Sequence, residues 1–195
     1  SILFDIFVQH LADWNQIELR KAMDQEVEEK YVEELQNIIN ELKTGKPYQQ
    51  ILGETEFYGL KFFVDEHVLI PRPETEELLE LAIKKMQDPR CKMQDLKILD
   101  IGTGSGIIPI VLKKHFPKAE LSAIDYSENA LKTAQRNADL HQAEINFIHQ
   151  DYLNENLTEV YDVIISNPPY IGIEEEDEIA DSVKEFEPKM ALFSP

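Results

Sequence analysis

Two short stretches of the chain bring together residue types that can do chemistry. Residues 100–106 read Asp-Ile-Gly-Thr-Gly-Ser-Gly, and residues 167–170 read Asn-Pro-Pro-Tyr. Gly102, Gly104 and Gly106 lack a Cβ, so the backbone there can bend sharply and lie against a ligand, with the N–H groups of a following helix pointing at it. A nucleotide-like cofactor is the natural occupant, although glycine-rich turns also join strands to helices for structural reasons alone. In the second stretch Pro168 and Pro169 have no N–H and a fixed φ, which makes a stiff turn with carbonyl oxygens free to accept. Asn167 adds a side-chain acceptor and Tyr170 an aromatic face. The Asn167 side-chain oxygen and the Pro168 carbonyl can accept both hydrogens of a planar –NH₂ group while Tyr170 packs on its face. An amide or aromatic amine is a poor nucleophile because its lone pair is delocalised. Fixing both N–H groups favours the geometry in which that pair faces an electrophile, and close approach supplies much of the remaining acceleration.

Carboxylates fall where such a site needs them. Asp125 lies about 20 residues beyond the glycine loop, at the end of a second strand, where a carboxylate accepts from ribose hydroxyls in nucleoside-binding sheets. The glycines are spaced GxGxG; the dinucleotide fingerprint needs glycine at position 107, which is Ile107. Asp151 and Tyr152 follow a third strand and arrive at the same sheet edge, an acceptor and a ring suited to an adenine, while an Asp after a strand also serves simply as a turn residue.

The elements that must position these residues are legible from periodicity. Lys97 to Ile101, Leu121 to Ile124, Ile145 to Ile148 and Val163 to Ile165 read as strands. Ile107 to His115 and Glu128 to Leu140, capped by Ser127, read as helices between them. Alternating strand and helix predicts an α/β domain with a parallel sheet. Upstream, Pro71-Arg72-Pro73 stops a strand-like region, and Thr75 is expected to cap a helix whose core face is Leu78, Leu79, Ala82, Ile83 and Met86. Between Glu56 and Ile70 the pattern is a β-hairpin, with Gly59 and Asp65-Glu66 as turns. Before Gly45-Lys46-Pro47 the chain is helical: Tyr31, Val32, Leu35, Ile38, Ile39 and Leu42 form one apolar stripe, and Ile2, Leu3, Ile6, Phe7 and Leu11 another. The expected organisation is a helical domain over 1–50, a hairpin linker over 51–70 and an α/β domain over 71–195.

Composition narrows the function. The 195 residues carry 38 acidic and 19 basic side chains, a net charge of −19, with 43% apolar residues. That apolar fraction belongs to a folding chain and not to an acidic disordered tail. A nucleic-acid backbone is bound mainly through Lys and Arg, and there is no basic cluster, so nucleic acid is disfavoured as a partner. The run Glu174-Glu175-Glu176-Asp177-Glu178 would repel phosphates. No stretch approaches the roughly 20 apolar residues of a membrane span, and no secretory signal pattern opens the chain. One cysteine, Cys91, excludes an internal disulfide framework and a CxxC pair, in keeping with a reducing cytoplasm.

Residues Asp100 to Gly106, Asp125 and Asn167 to Tyr170 together resemble the class I S-adenosylmethionine-dependent methyltransferases that act on planar nitrogen. Three further stretches narrow the resemblance: Ile51-Leu52-Gly53-Glu54-Thr55-Glu56-Phe57-Tyr58-Gly59-Leu60, Leu69-Ile70-Pro71-Arg72-Pro73-Glu74-Thr75-Glu76 and Phe186-Glu187-Pro188. With these the chain is similar, over essentially its whole length, to the release factor glutamine methyltransferases (the PrmC or HemK family). The resemblance implies a Rossmann-like methyltransferase domain preceded by a small all-helical domain and a hairpin. It implies methylation of the side-chain amide nitrogen of the glutamine in the Gly-Gly-Gln motif of peptide chain release factors. Gly102, Thr103, Gly104, Ser105, Gly106, Asp125, Asp151 and Tyr152 would contact S-adenosylmethionine, Asn167, Pro168, Pro169 and Tyr170 would hold the glutamine, and Asn167 would touch both. The helical part would bind the release factor, and no metal is implied. The family's sheet has seven strands against the four counted here, which implies a piece of a longer chain. Two alternatives remain: an amino-group methyltransferase of adenine or guanine, since Asn-Pro-Pro-Tyr serves those enzymes too, and an inactive protein-binding relative.

Overall fold

The structure is a computed structural model that describes residues 2–12, 14–22, 29–88, 96–169, 171–172 and 186–194. Cys91, Tyr170 and the acidic run 174–178 lie outside the described residues. By contacts the chain divides into two units, Ser1–Gly53 and Glu54–Pro195.

The first unit is built from helices: α1 (Ile2–Ala12), α2 (Gln16–Ala22), α3 (Glu29–Lys43) and the short α4 (Tyr48–Leu52). Asn15 starts α2 with a reciprocal cap. Its Oδ1 accepts from the N–H groups of Ile17 at 2.9 Å and Glu18 at 3.1 Å, while Glu18 Oε2 accepts from the Asn15 N–H at 2.8 Å. Gly45, at φ +89°, closes α3, because a left-handed residue past the last turn lets its N–H reach back to Leu42. Phe7 is buried, whereas Leu3, Ile17, Val32 and Ile39 remain exposed.

The second unit begins with an antiparallel hairpin, β1 (Glu54–Phe57) and β2 (Leu60–Phe63). Its two-residue turn places both Tyr58 (φ 53°) and Gly59 (φ 68°) in the left-handed region, the twist such hairpins favour. The hairpin is part of this unit's core: Phe57 and Phe62 are buried in the same cluster as Leu79, Ile98 and Ile110. The boundary between compact units therefore falls at Gly53, before the hairpin.

Helix α5 (Pro73–Met86) follows, with Arg72 at the N-cap position and Pro73 in the first turn. The expectation that Thr75 caps this helix is corrected. Pro73 has a fixed φ suited to the first helical position and no N–H to leave unpaired, so the helix begins before Thr75. Thr75 sits inside the first turn, buried, and its N–H donates to the Arg72 carbonyl.

Among the described residues the main sheet has four parallel strands, β3 (Lys97–Ile101), β4 (Glu120–Asp125), β5 (Asn146–His149) and β6 (Val163–Ser166), in the order β5-β4-β3-β6. Helices α6 (Ile107–His115) and α7 (Glu128–His141) make the crossovers between β3, β4 and β5. The chain moves outward from β3 to β5 and then returns to pair β6 against the other side of β3. This reversal separates the loops leaving β3 and β6 and opens a crevice at the carboxyl ends of the strands, where open α/β sheets take their ligands.

One face of α7 is stapled to the strand that leaves the hairpin. The fully buried Asn137 accepts from the Phe63 N–H at 2.7 Å and donates to the Phe63 carbonyl at 3.0 Å and the Ser105 carbonyl at 2.8 Å. Thr133 donates to Asp65, and the Arg136 guanidinium lies 3.6 Å over the Phe63 ring. A single helix face thereby couples the hairpin to the glycine loop.

Candidate functional site at the strand reversal

The glycine loop is shaped by β4. The N–H groups of Gly102 and Thr103 both donate to the Ile124 carbonyl, at 2.9 and 3.1 Å, and the Gly106 N–H closes back on Thr103. Gly102, Gly104 and Gly106 all have positive φ, at 72°, 54° and 79°. A Cβ on Gly106 would stand 3.1 Å from the Ala134 Cβ, so that glycine allows α7 to approach. At Gly102 and Gly104 a Cβ would meet nothing within 4 Å. Those two positions therefore need glycine for backbone conformation, and they face open space that a ligand can fill.

Asp125, at the end of β4, holds this loop. One carboxylate oxygen accepts from the Gly104 N–H at 2.8 Å and the other from the Ser127 N–H at 2.9 Å. Ser127 in turn caps α7 through the Ala130 N–H. Each carboxylate oxygen has a second lone pair, which leaves room for a ribose hydroxyl.

Asp151 and Tyr152 come to the same edge, one strand further out, where the Gln150 N–H donates to the Asp125 carbonyl. The Asp151 carboxylate is occupied by its own turn, accepting from the Asn154 side chain at 2.8 Å and the Leu153 N–H at 3.1 Å. The Asn154 side-chain bond, with the backbone N–H groups of Leu153 and Asn154, holds its carboxyl below the usual carboxylate range against the opposing effect of desolvation. Tyr152 is exposed, as is Tyr126, which follows Asp125 and lies 6.4 Å from the His149 ring.

Asn167 enters from the other side of the crevice. β6 pairs with β3 so that Ser166 lies opposite Ile101, and the Ser166 hydroxyl donates to the Ile101 carbonyl at 2.9 Å. This bond fixes the start of the Asn-Pro-Pro turn beside the start of the glycine loop. Asn167 is half-buried and donates through Nδ2 to the Thr75 hydroxyl at 3.0 Å. Pro168 is exposed and Pro169 half-buried; Tyr170 is outside the described residues.

The residue with the most perturbed chemistry is Asp100, which the motif contains but which was not singled out from sequence as a contact. It is fully buried, and neither carboxylate oxygen has a hydrogen-bond partner among the described residues; the same holds for the neighbouring Thr103 hydroxyl. Burial pushes the Asp100 carboxyl up to about 7, with the nearby Thr103 hydroxyl opposing and the charge of Asp125 reinforcing the shift. A buried carboxylate without a partner is a place for a cationic group. The open glycine positions, Asp125 and this unpaired acid together fit S-adenosylmethionine, whose positive charge such a site suits. Among the described residues no cluster of His, Cys, Asp or Glu has the makings of a metal site.

Comparison with known proteins places the chain in a family. Residues 79–185 match the methyltransferase small domain, and residues 4–53 match the PrmC N-terminal domain. The release factor glutamine methyltransferase of Flavobacterium psychrophilum is 44% identical over 191 residues, 97% of this chain and 67% of that protein. The chain belongs to the release factor glutamine methyltransferase family. The protein of that name from Enterococcus faecalis is 41% identical over 93% of this chain and 64% of its own length. The chain thus spans about two thirds of the length of the release factor glutamine methyltransferases it matches. Among solved structures the hMettl16 catalytic domain, determined in complex with the MAT2A 3′UTR hairpin 6, covers 70% of this chain and 51% of its own, with a TM-score of 0.51 and 19% identity. That likeness concerns the fold alone. No helix among the described residues is long and apolar enough to cross a membrane.

Proposed function

We propose that the protein transfers a methyl group from S-adenosylmethionine to the side-chain amide nitrogen of the glutamine in the Gly-Gly-Gln motif of peptide chain release factors. The observation that supports this reading is the Ser166–Ile101 bond, which sets the Asn-Pro-Pro turn against the glycine loop at the strand reversal. Family membership supplies the substrate.

Bound S-adenosylmethionine supplies an electrophilic methyl group on a sulfonium. Gly102, Thr103, Gly104, Ser105 and Gly106 would hold it, with Asp125 toward the ribose, Asp151 and Tyr152 toward the base, and Asp100 toward its positive charge. Asn167 Oδ1 and the Pro168 carbonyl accept the two N–H groups of the glutamine amide. Pro168, Pro169 and Tyr170 confine its plane. Orientation does most of the work here, because a weak nucleophile held at attacking distance gains far more from fixed geometry than from a base. Residues 1–50 with their exposed Leu3, Ile17, Val32 and Ile39 serve as the recognition surface for the release factor. A net charge of −19 disfavours a nucleic-acid substrate.

The test uses the full-length protein, labelled S-adenosylmethionine, a purified release factor and the same factor with glutamine→alanine in Gly-Gly-Gln. Label on the first and not on the second is the expected result. Label on DNA or RNA in place of the factor would overturn the assignment.

A further inference from the structure

The first turn of α5 reaches three parts of the second unit within five residues. The Arg72 guanidinium pairs with Glu187 at 2.6 Å, and the second carboxylate oxygen of Glu187 accepts from the Ile70 N–H at 3.2 Å. Glu187 is buried, so it anchors Pro71-Arg72-Pro73 from the C-terminal segment. Glu76 accepts from the Tyr58 N–H at 2.9 Å and so holds the hairpin turn in its left-handed conformation. Between these two anchors stands Thr75, 3% exposed, whose hydroxyl takes the donor end of the Asn167 carboxamide.

The consequence lies in the inventory of that carboxamide. Asparagine offers one acceptor oxygen and a two-hydrogen donor, and an incoming –NH₂ group brings donors only. With Nδ2 turned to Thr75, Oδ1 is left for the substrate; with the amide turned over, two donors would meet. A hydroxyl can accept from Nδ2 or donate to Oδ1, so Thr75 holds the plane of the carboxamide, and the donors of the incoming –NH₂ group select the orientation that leaves Oδ1 to them.

We infer that Thr75 is a positioning residue for the methyl transfer: its buried hydroxyl fixes the plane of the Asn167 carboxamide, and the Arg72–Glu187 and Glu76–Tyr58 contacts fix Thr75. The inference rests on the proposed amide-methylating function. It gives the Pro-Arg-Pro-Glu-Thr-Glu stretch a role in catalysis that helix initiation alone does not explain, since Thr75 is not the cap.

The experiment compares Thr75→Val and Thr75→Ser in the full-length protein. Thr75→Val keeps shape and removes the hydroxyl. Its kcat on the release factor is expected to fall about 30-fold, within the range that misplacement of a reacting group produces, while KM for the factor and Kd for S-adenosylmethionine stay within about threefold. Thr75→Ser is expected to restore kcat to within about threefold of wild type. A Thr75→Val enzyme with unchanged kcat overturns the inference while leaving the reaction itself intact, and so does a loss that Thr75→Ser fails to rescue. A readout independent of substrate is the exchange rate of the Asn167 side-chain amide hydrogens by NMR, identified by their absence in Asn167→Ala. Faster exchange in Thr75→Val is expected. Equal rates would overturn the inference even if the wild-type protein proved to methylate something other than a release factor.

Discussion

The two units of this chain spend their polar residues differently. In the helical unit, Asn15 and Glu18 cap each other at the surface, and apolar Val32 and Ile39 face outward along α3. In the α/β unit the polar residues go inside: Asn137, Asp100, Thr75 and Glu187 are all buried. A buried polar group costs free energy unless something meets it, so each one marks a place where position matters more than stability. Asn137 and Glu187 are met by the chain itself, while Asp100 has only the nearby Thr103 hydroxyl beside it among the described residues. The contrast separates a unit with apolar side chains at its surface from one with polar side chains inside, and on the proposed function it predicts that substitutions in the two will act on different kinetic constants.

The largest effect is expected at Asn167. Asn167→Ala removes the acceptor for the substrate amide, and kcat should fall by about a hundredfold or more while S-adenosylmethionine affinity stays within several-fold. Unchanged turnover would remove the Asn-Pro-Pro turn from the mechanism. Next comes Asn137→Ala, which strands two carbonyls and one N–H in the interior; a urea titration should read a destabilisation of about 3 kcal/mol in the α/β unit. A loss below about 1 kcal/mol would mean that water replaces the amide.

A smaller effect concerns pH and Asp100. Its carboxyl titrates at about 7 in the fold against 3.8 when free, so the folded protein keeps a proton that the unfolded chain loses. Stability without cofactor should therefore decline as pH rises from about 4 to 7 and level off above, and Asp100→Asn should abolish that slope. A cationic ligand prefers the ionised acid, so its affinity should drop about fivefold between pH 7 and pH 6 by calorimetry. A flat profile would detach Asp100 from the ligand. The smallest effect belongs to the other unit. Val32→Ser combined with Ile39→Ser should raise KM for the release factor about threefold and leave kcat alone. A change in kcat would collapse the distinction between the units.

Much of this architecture is written in local pattern. The strand–helix alternation, the GxGxG turn and the strand-end Asp125 are signals carried by neighbouring residues, and the structure places the last two together at one sheet edge. What local pattern conceals is competition for the same atoms. Thr75 has the look of a cap because threonine before an apolar run usually is one; Pro73 claims the helix start and sends Thr75 inward. Asp151 reads as a carboxylate open to a ligand, while its own Asn154 and Leu153 already take one lone pair of each oxygen and leave only the second. The hairpin reads as a connector because aromatic residues alternate there, and only the long-range packing of Phe57 and Phe62 puts it in the core. Asp100 is conspicuous in the motif, but its near-neutral proton affinity arises from burial that depends on strands far away in sequence.

The contacts that fix the amide-holding turn also set a schedule. Asn167 follows Thr75 by 92 residues, and Glu187 follows Arg72 by 115. Chains emerge from the ribosome N-terminus first, at about 5–20 residues per second. The glycine loop and its Asp125 clasp are thus available for many residues of synthesis before Asn167 appears, and the anchor on Arg72 arrives later still. On the proposed function, the residues that would hold the cofactor are all synthesised before the residue that would orient the substrate, and Glu187, which anchors the helix that began at Pro73, is synthesised after both.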